Sequence, residues 1–276
     1  MRIEEAGREI KICPEDDFSA KKIFECGQCF RWNENPDGSY TGVALGRAAR
    51  VREDGDSVYI TCTKAEFESV WREYFDFGAN YTERRRRCAV DDYMLAASEY
   101  GKGIRLLNQD RWETLCSFII SQCNNIPRIK KIVETLSGLY GERIEFEGGE
   151  YRSFPSAERV ASLSERDLDP LRCGYRAPYI LNAAREVAEG RLNLEELSRK
   201  EYPEAKRRLM ELPGIGEKVA NCVVLFSLRM PRAFPIDVWI KKALSEHYPG
   251  GFDPSVFGDD AGLAQQYMFY YQRDRK

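Results

Sequence analysis

Leu212-Pro213-Gly214-Ile215-Gly216-Glu217-Lys218-Val219-Ala220 is the stretch on which the reading of this chain turns. A charged amphipathic segment from Tyr202 to Glu211 leads into it, and an apolar one, Glu217 to Leu228, leads out. Two glycines in three residues permit positive φ and the close approach of another backbone. The pattern predicts helix, glycine-rich hairpin, helix over about 202–229. Such a hairpin presents free N–H groups at a helix start, where a phosphate can sit against Gly214 and Gly216. An ordinary αα-hairpin also carries glycine in its turn, so the spacing alone leaves both readings open.

Lys218 falls in the first turn of the second helix. The positive end of the helix dipole and partial burial both disfavour an ammonium there, and a neutral amine can attack carbon and form a Schiff base. A surface lysine with its stem laid on apolar neighbours is the plainer alternative. Cys222 lies four residues on, on the same helical face. About 20 residues later, Phe234-Pro235-Ile236-Asp237 precedes another helix, Val238 to Leu244. Asp237 suits the N-cap of that helix. It also suits a carboxylate that moves a proton and stabilises positive charge on a sugar.

Upstream of the hairpin the pattern is helical back to about Thr82. One helix is expected over 82–97, with Arg84 to Arg87 as a solvated face. Another is expected from Trp112 towards Cys123. Asn124-Asn125 should cap a third, with Pro127 in its first turn. Two more are expected over 155–171 and 177–189, joined at Cys173-Gly174-Tyr175-Arg176. The first 81 residues read as β-structure instead. Asn35-Pro36-Asp37-Gly38 and Glu53-Asp54-Gly55-Asp56 stand between alternating segments, the strongest short hairpin signal. Thr63 with Glu66 should open a helix to Tyr74 through a capping box. The expected class is α+β: an N-terminal antiparallel β-sheet domain over 1–81, and a two-lobed helical domain over 82–276.

Composition narrows the chemistry. Hydrophobic residues at 43% and charged residues at 32% give a globular chain with a core. No apolar run approaches the roughly 20 residues of a membrane helix. Residues 1–5 lack the apolar segment of a secretory signal, so an intracellular location is expected, cytoplasm or nucleoid in a prokaryote and the nucleus in a eukaryote. Nine scattered cysteines suggest reduced thiols. Cys26-Gly27-Gln28-Cys29 lacks the second pair that a zinc site needs. His247 is the single histidine and is expected in a turn, so enzymes needing several histidines are excluded. The net charge of −3 gives no global footprint for nucleic acid. Any DNA contact must then be local.

The hairpin with Lys218, followed by Pro235-Ile236-Asp237-Val238, resembles the helix–hairpin–helix–GPD glycosylases. Lysine at this position resembles the bifunctional glycosylase/lyases among them. Gly27-Gln28-Cys29-Phe30-Arg31-Trp32, Ser121 to Arg128, Gly174-Tyr175-Arg176-Ala177, and Ala261 to Gln265 with Phe269 resemble the 8-oxoguanine DNA glycosylase family, in family order along nearly the whole chain. The resemblance implies base-excision repair of duplex DNA containing 8-oxoguanine, followed by β-elimination, by a monomer with no cofactor and no membrane partner. It implies Lys218 as nucleophile and Asp237 as catalytic aspartate. It further implies the Gly27 carbonyl as acceptor for N7–H of the lesion. Cys222 and Phe269 would sandwich the flipped base, and Gln265 would bind its Watson–Crick edge. Tyr175 would fill the vacated stack, with Arg128 and Arg176 on the orphaned cytosine. Cys123 and Asn124 belong to the DNA-contacting loop, and Cys123 stands where the family has asparagine. Trp239 stands where animal members have histidine. A monovalent cation at the Leu212–Gly216 carbonyls is compatible with the resemblance. The rival readings are a sibling glycosylase for alkylated or mismatched bases, and a non-catalytic helix–hairpin–helix module that binds DNA.

Overall fold

The computed structural model describes residues 1–275. Lys276, the last residue of the expected helical part, lies outside them. The N-terminal part is a six-stranded antiparallel sheet of order β1-β2-β6-β5-β4-β3. Its strands are β1 (Arg2–Ala6), β2 (Glu9–Cys13), β3 (Trp32–Glu34), β4 (Tyr40–Ala44), β5 (Arg47–Asp54) and β6 (Ser57–Thr61). Both predicted turns are present. Gly38 at φ +81° closes the turn between β3 and β4, and Gly55 at φ +56° the one between β5 and β6. Ile10, Ile12, Val51, Val58 and Ile60 alternate inward onto Phe24, Trp32, Trp71 and Phe75. This core forms the first of two apolar clusters. Thr63 accepts from Glu66 N in the expected capping box, and the helix it opens passes through a π-helical turn over Phe67–Trp71.

The structure differs from the sequence expectations at several points. β1 and β2 were not expected. β1 is almost wholly exposed, so Glu4 and Glu5 break any inward alternation. Cys29 to Arg31 is not strand, because the Gln28 side chain holds this segment as an irregular loop. The helix expected over 82–97 is two, Tyr81–Cys88 and Asp92–Tyr100. Asp91 restarts the chain by accepting from Met94 N. The helix expected over 155–171 is a short one, Ala157–Ala161, and a 3-10 turn, Arg166–Leu171, that contains Pro170. His247 ends a helix and stacks on Tyr93 with centroids 4.0 Å apart.

The arginine run is likewise not a free face. Arg84 Nε and Arg87 Nε grip the two oxygens of Asp260 at 2.7 and 2.6 Å, and Asp260 is buried. Arg85 pairs with Asp17 and Glu99. Arg86 and much of the Arg87 side chain lie in solvent. The Asp260 clamp fixes the start of the Ala261–Asp274 helix, which carries Gln265 and Phe269.

Arg111–Ile120, Ile126–Tyr140, Ala177–Ala188, Tyr202–Met210 and Glu217–Phe226 are the main helices of the second cluster. None among the described residues is long and apolar enough to cross a membrane. Glu113, on the first of them, lies near the buried Arg31. Burial pushes its carboxyl up to about 8, against the pull of Arg31. The folded chain then holds a proton that the unfolded chain releases near pH ~4.3. The stability this confers is complete below that unfolded value and is lost as pH rises towards the folded one. Glu113→Gln should raise Tm by a margin that grows between about pH 5 and about pH 8 and is flat above. A margin independent of pH in thermal melts would refute this account.

Candidate active site

The hairpin is built as its sequence requires. Tyr202–Met210 ends in a turn where Ile215 N donates to Leu212 O at 3.1 Å. Gly214 adopts φ +80°, and a Cβ there would meet the Tyr179 ring at 2.4 Å. No side chain other than glycine fits without moving that ring. Gly216 is the N-cap of Glu217–Phe226. Tyr202 Oη donates to Asn221 Oδ1 at 2.8 Å and ties the two helices together.

Lys218 leaves the first turn of this helix partly buried. Its Nζ donates to Ser121 Oγ at 3.1 Å and lies 5.2 Å from the Phe118 ring centroid. Ser121 is the C-cap of Arg111–Ile120, and its hydroxyl donates a hydrogen bond to Phe118 O. Cys222, one turn below Lys218, is buried, and burial holds its thiol up at about 11 although Lys218 pulls it down. The thiol is therefore a neutral, polarisable surface at ordinary pH. Asp237 accepts from Trp239 N at 3.0 Å and Ile240 N at 2.9 Å, both on Oδ1. The cap reading thus holds, and it leaves the second oxygen uncommitted to the helix. Burial raises the Asp237 carboxyl, and the capping N–H groups and Lys218 oppose the shift. Lys218 is felt electrostatically by both Cys222 and Asp237, so the three share one site.

Gly27 and Phe269, more than 240 residues apart in sequence, meet in space. Gly27 has φ +80°, and a Cβ there would lie 3.2 Å from Phe269 Cε1 and 3.4 Å from Ile126 Cδ1. Gln28 is wholly buried and anchors the loop. Its Nε2 donates to Ile23 O and Arg105 O, its Oε1 accepts from Leu107 N, and its backbone carbonyl accepts from Gln109 Nε2. Gln265 is buried one turn before Phe269. The loop from Ser121 to Ile126 therefore runs from the lysine to Gly27.

A second group gathers at the other end of that loop. Cys123 is exposed in the left-handed region at φ +47°. Asn124 Nδ2 donates to Ile120 O, and Asn125 caps Ile126–Tyr140. Tyr175 is 52% exposed. Arg176 is buried and donates to the carbonyls of Gln122, Cys123 and Cys173. Arg128 is exposed, with one bond to Arg172 O. Gln28 and Ser121 stand in segments that the sequence singles out but gives no role, and Phe118 is read there only as an apolar helix residue. Ser121 had a signal, a small polar residue closing an apolar helix.

A helix–hairpin–helix with a half-buried aspartate beside a lysine, set against an antiparallel sheet, defines a base-excision protein of the HhH-GPD superfamily, which residues 116–254 match. Residues 11–115 match the N-terminal domain of 8-oxoguanine DNA glycosylase. The structure of MBOgg1 with a low affinity DNA ligand superposes with TM-score 0.95 at 41% identity, covering 99% of this chain and 98% of the other. The Clostridium acetobutylicum 8-oxoguanine glycosylase/lyase, in complex with double-stranded DNA containing cytosine opposite 8-oxoguanine, gives TM-score 0.94 at 36% identity, with 99% and 98% covered. The N-glycosylase/DNA lyase of Saccharomyces cerevisiae is 37% identical over 82% of this chain and 67% of its own. The chain belongs to the 8-oxoguanine DNA glycosylase/lyases of the HhH-GPD superfamily. It spans 63% to 67% of the length of the first curated relatives it matches.

Proposed function

We propose that this chain excises 8-oxoguanine from duplex DNA and then nicks the strand, with Lys218 as nucleophile. The observation that carries the reading is that Lys218, hydrogen-bonded to Ser121 Oγ and one turn above Cys222, acts electrostatically on both Cys222 and Asp237, while the loop after Ser121 reaches the Gly27–Phe269 contact through Ile126. The glycosidic carbon is out of reach in the stack, so the nucleotide must flip out. Lys218 Nζ attacks C1′, and the base leaves with the bonding electrons and takes up a proton. Asp237 supports the positive charge on the sugar and accepts the proton that the amine sheds. Ring opening gives a Schiff base, and loss of a proton from C2′ expels the 3′ phosphate.

The lesion differs from guanine at N7, where it carries a proton. The Gly27 carbonyl accepts that proton and would face a lone pair in guanine. Cys222 and Phe269 take the two faces of the base, and Gln265 takes its Watson–Crick edge. Tyr175 fills the vacated stack. Arg128 is the free donor for the orphaned cytosine, and Arg176 acts largely by shaping the 122–123 loop under it. Gly214 and Gly216 bring hairpin N–H groups to a phosphate. The hairpin's carbonyl oxygens are hard donors that fit a monovalent cation bracing the turn. The protein works as a monomer wherever the cell keeps its DNA.

The test is a panel of duplexes carrying 8-oxoguanine opposite each base, together with alkylated and mismatched bases. Excision should be greatest for 8-oxoguanine opposite cytosine. Cys123→Asn should narrow the preference further, because asparagine tolerates the left-handed backbone and restores a full donor and acceptor. Preference for an alkylated base, or binding with no cleavage of any duplex, would overturn the reading.

A further inference from the structure

Tyr179 stands in the first turn of the Ala177–Ala188 helix, partly buried, between the exposed Tyr175 and the hairpin. On one side is the Tyr175 ring, with centroids 6.3 Å apart and planes at 74°, an edge-to-face pair. On the other is the hairpin turn. Gly214 comes so close that a Cβ there would lie 2.4 Å from Tyr179 Cγ and Cδ2 and 2.7 Å from Cε2. Tyr175 has little else to hold it. Its Oη is 3.5 Å from Gln122 O, and the Arg176 guanidinium lies 4.5 Å from its ring centroid. A hydrogen bond of that length is weak, so the stance of the half-exposed ring depends on what flanks it.

We propose that Tyr179 is a positioning residue that fixes the distance between the hairpin's grip on a phosphate and the Tyr175 wedge. The inference rests on reading Tyr175 as the group that fills the vacated stack and Gly214 as part of the phosphate contact. Phosphate contacts set the register of a protein on a duplex. A side chain that enters the stack must then stand at the matching offset from the phosphate that is held. Two separate segments keep that offset only if something rigid lies between them. A tyrosine ring is flat and turns about two side-chain torsions, so it makes a spacer of constant thickness. The missing Cβ at Gly214 lets the hairpin backbone rest directly on that ring, a demand on glycine beyond its φ of +80°. A displaced ring should therefore be felt at the step that opens the stack.

Single-turnover excision from two duplexes tests this, each with 8-oxoguanine opposite cytosine. In one the neighbouring pairs are intact. In the other a neighbour is mismatched, which lowers the cost of unstacking. Tyr179→Leu keeps an apolar side chain and removes the ring. It should slow excision from the intact duplex at least roughly tenfold, the scale of a small misplacement, and slow the mismatched one far less. A damaged fold would slow both alike and leave their ratio where it was. Tyr179→Phe should match the parent, because the contacts are those of the ring. In Gly214→Ala the new methyl presses on the ring from the hairpin side and should lower the same ratio. Added to Tyr179→Leu, it should lower the ratio less than it does alone. An unchanged ratio in Tyr179→Leu, an equal defect in Tyr179→Phe, or additive effects of the two substitutions overturns the proposal. Tyr175→Ala, run alongside, separates the two levels. If it leaves the ratio at the parent's value, the wedge reading itself fails. If it lowers the ratio while Tyr179→Leu and Gly214→Ala do not, only the positioning role fails.

Discussion

Lys218→Gln should give no covalent complex when the enzyme is mixed with 8-oxoguanine duplex and borohydride, and excision should fall on the order of 10^4-fold, as for other lost nucleophiles. The amide cannot form an iminium, so nothing remains for hydride to reduce. The fold should survive. Lys218 is only partly buried, and the hydrogen bond its Nζ makes is to Ser121 Oγ, which a glutamine amide can also make. Binding to uncleaved lesion duplex should therefore persist, and thermal melts should shift little. Trapping undiminished in this variant would show that another amine attacks the sugar, and the assignment would fall with it.

Asp237 offers two substitutions that separate two jobs. Asparagine is as good an N-cap as aspartate. Asp237→Asn should keep the bonds to Trp239 N and Ile240 N, hold Tm near the parent, and lose roughly 10^2- to 10^4-fold in excision, the usual worth of a proton-handling group. Asp237→Ala should lose the same activity and about 1 kcal/mol of stability besides. If asparagine lowered stability as far as alanine while sparing excision, the carboxylate would be a cap alone. The pH profile carries the same information. Burial raises this carboxyl, so its charged form is lost at a higher pH than an ordinary aspartate's. The acid limb of excision should sit correspondingly high, with activity falling as pH drops through it.

The hairpin, Lys218 and Asp237 were legible because their local geometry is dictated locally. Glycine marks the turn, and apolar spacing marks the helix that follows it. The cap reading of Asp237 holds on Oδ1 alone, which leaves Oδ2 for the proposed site role. What could not be read depends on contacts across the fold. Four consecutive arginines look like a wet surface until Asp260 is seen to close on two of them. β1 hides behind Glu4 and Glu5, because an exposed edge strand shows little inward periodicity, whereas β2 was within reach, since Ile10 and Ile12 alternate with Glu9 and Lys11. The split at Ala89–Val90 was within reach, since Asp91-Asp92 is a cap signal inside an otherwise helical run.

The Asp260 clamp also sets an order of events during synthesis. Arg84 and Arg87 wait for a partner that leaves the ribosome more than 170 residues later. On the proposed roles, a nascent chain already holds Lys218 when Gln265 and Phe269 have yet to be added. Closing so long a loop costs only modestly more than closing a short one, so docking of the last helix is not held back by distance. A truncated chain would nevertheless carry the nucleophile without the surface that recognises the lesion. On those proposed roles, tethering the Ala261–Asp274 helix to Arg84 and Arg87 makes competence at a lesion wait for residues 260–274.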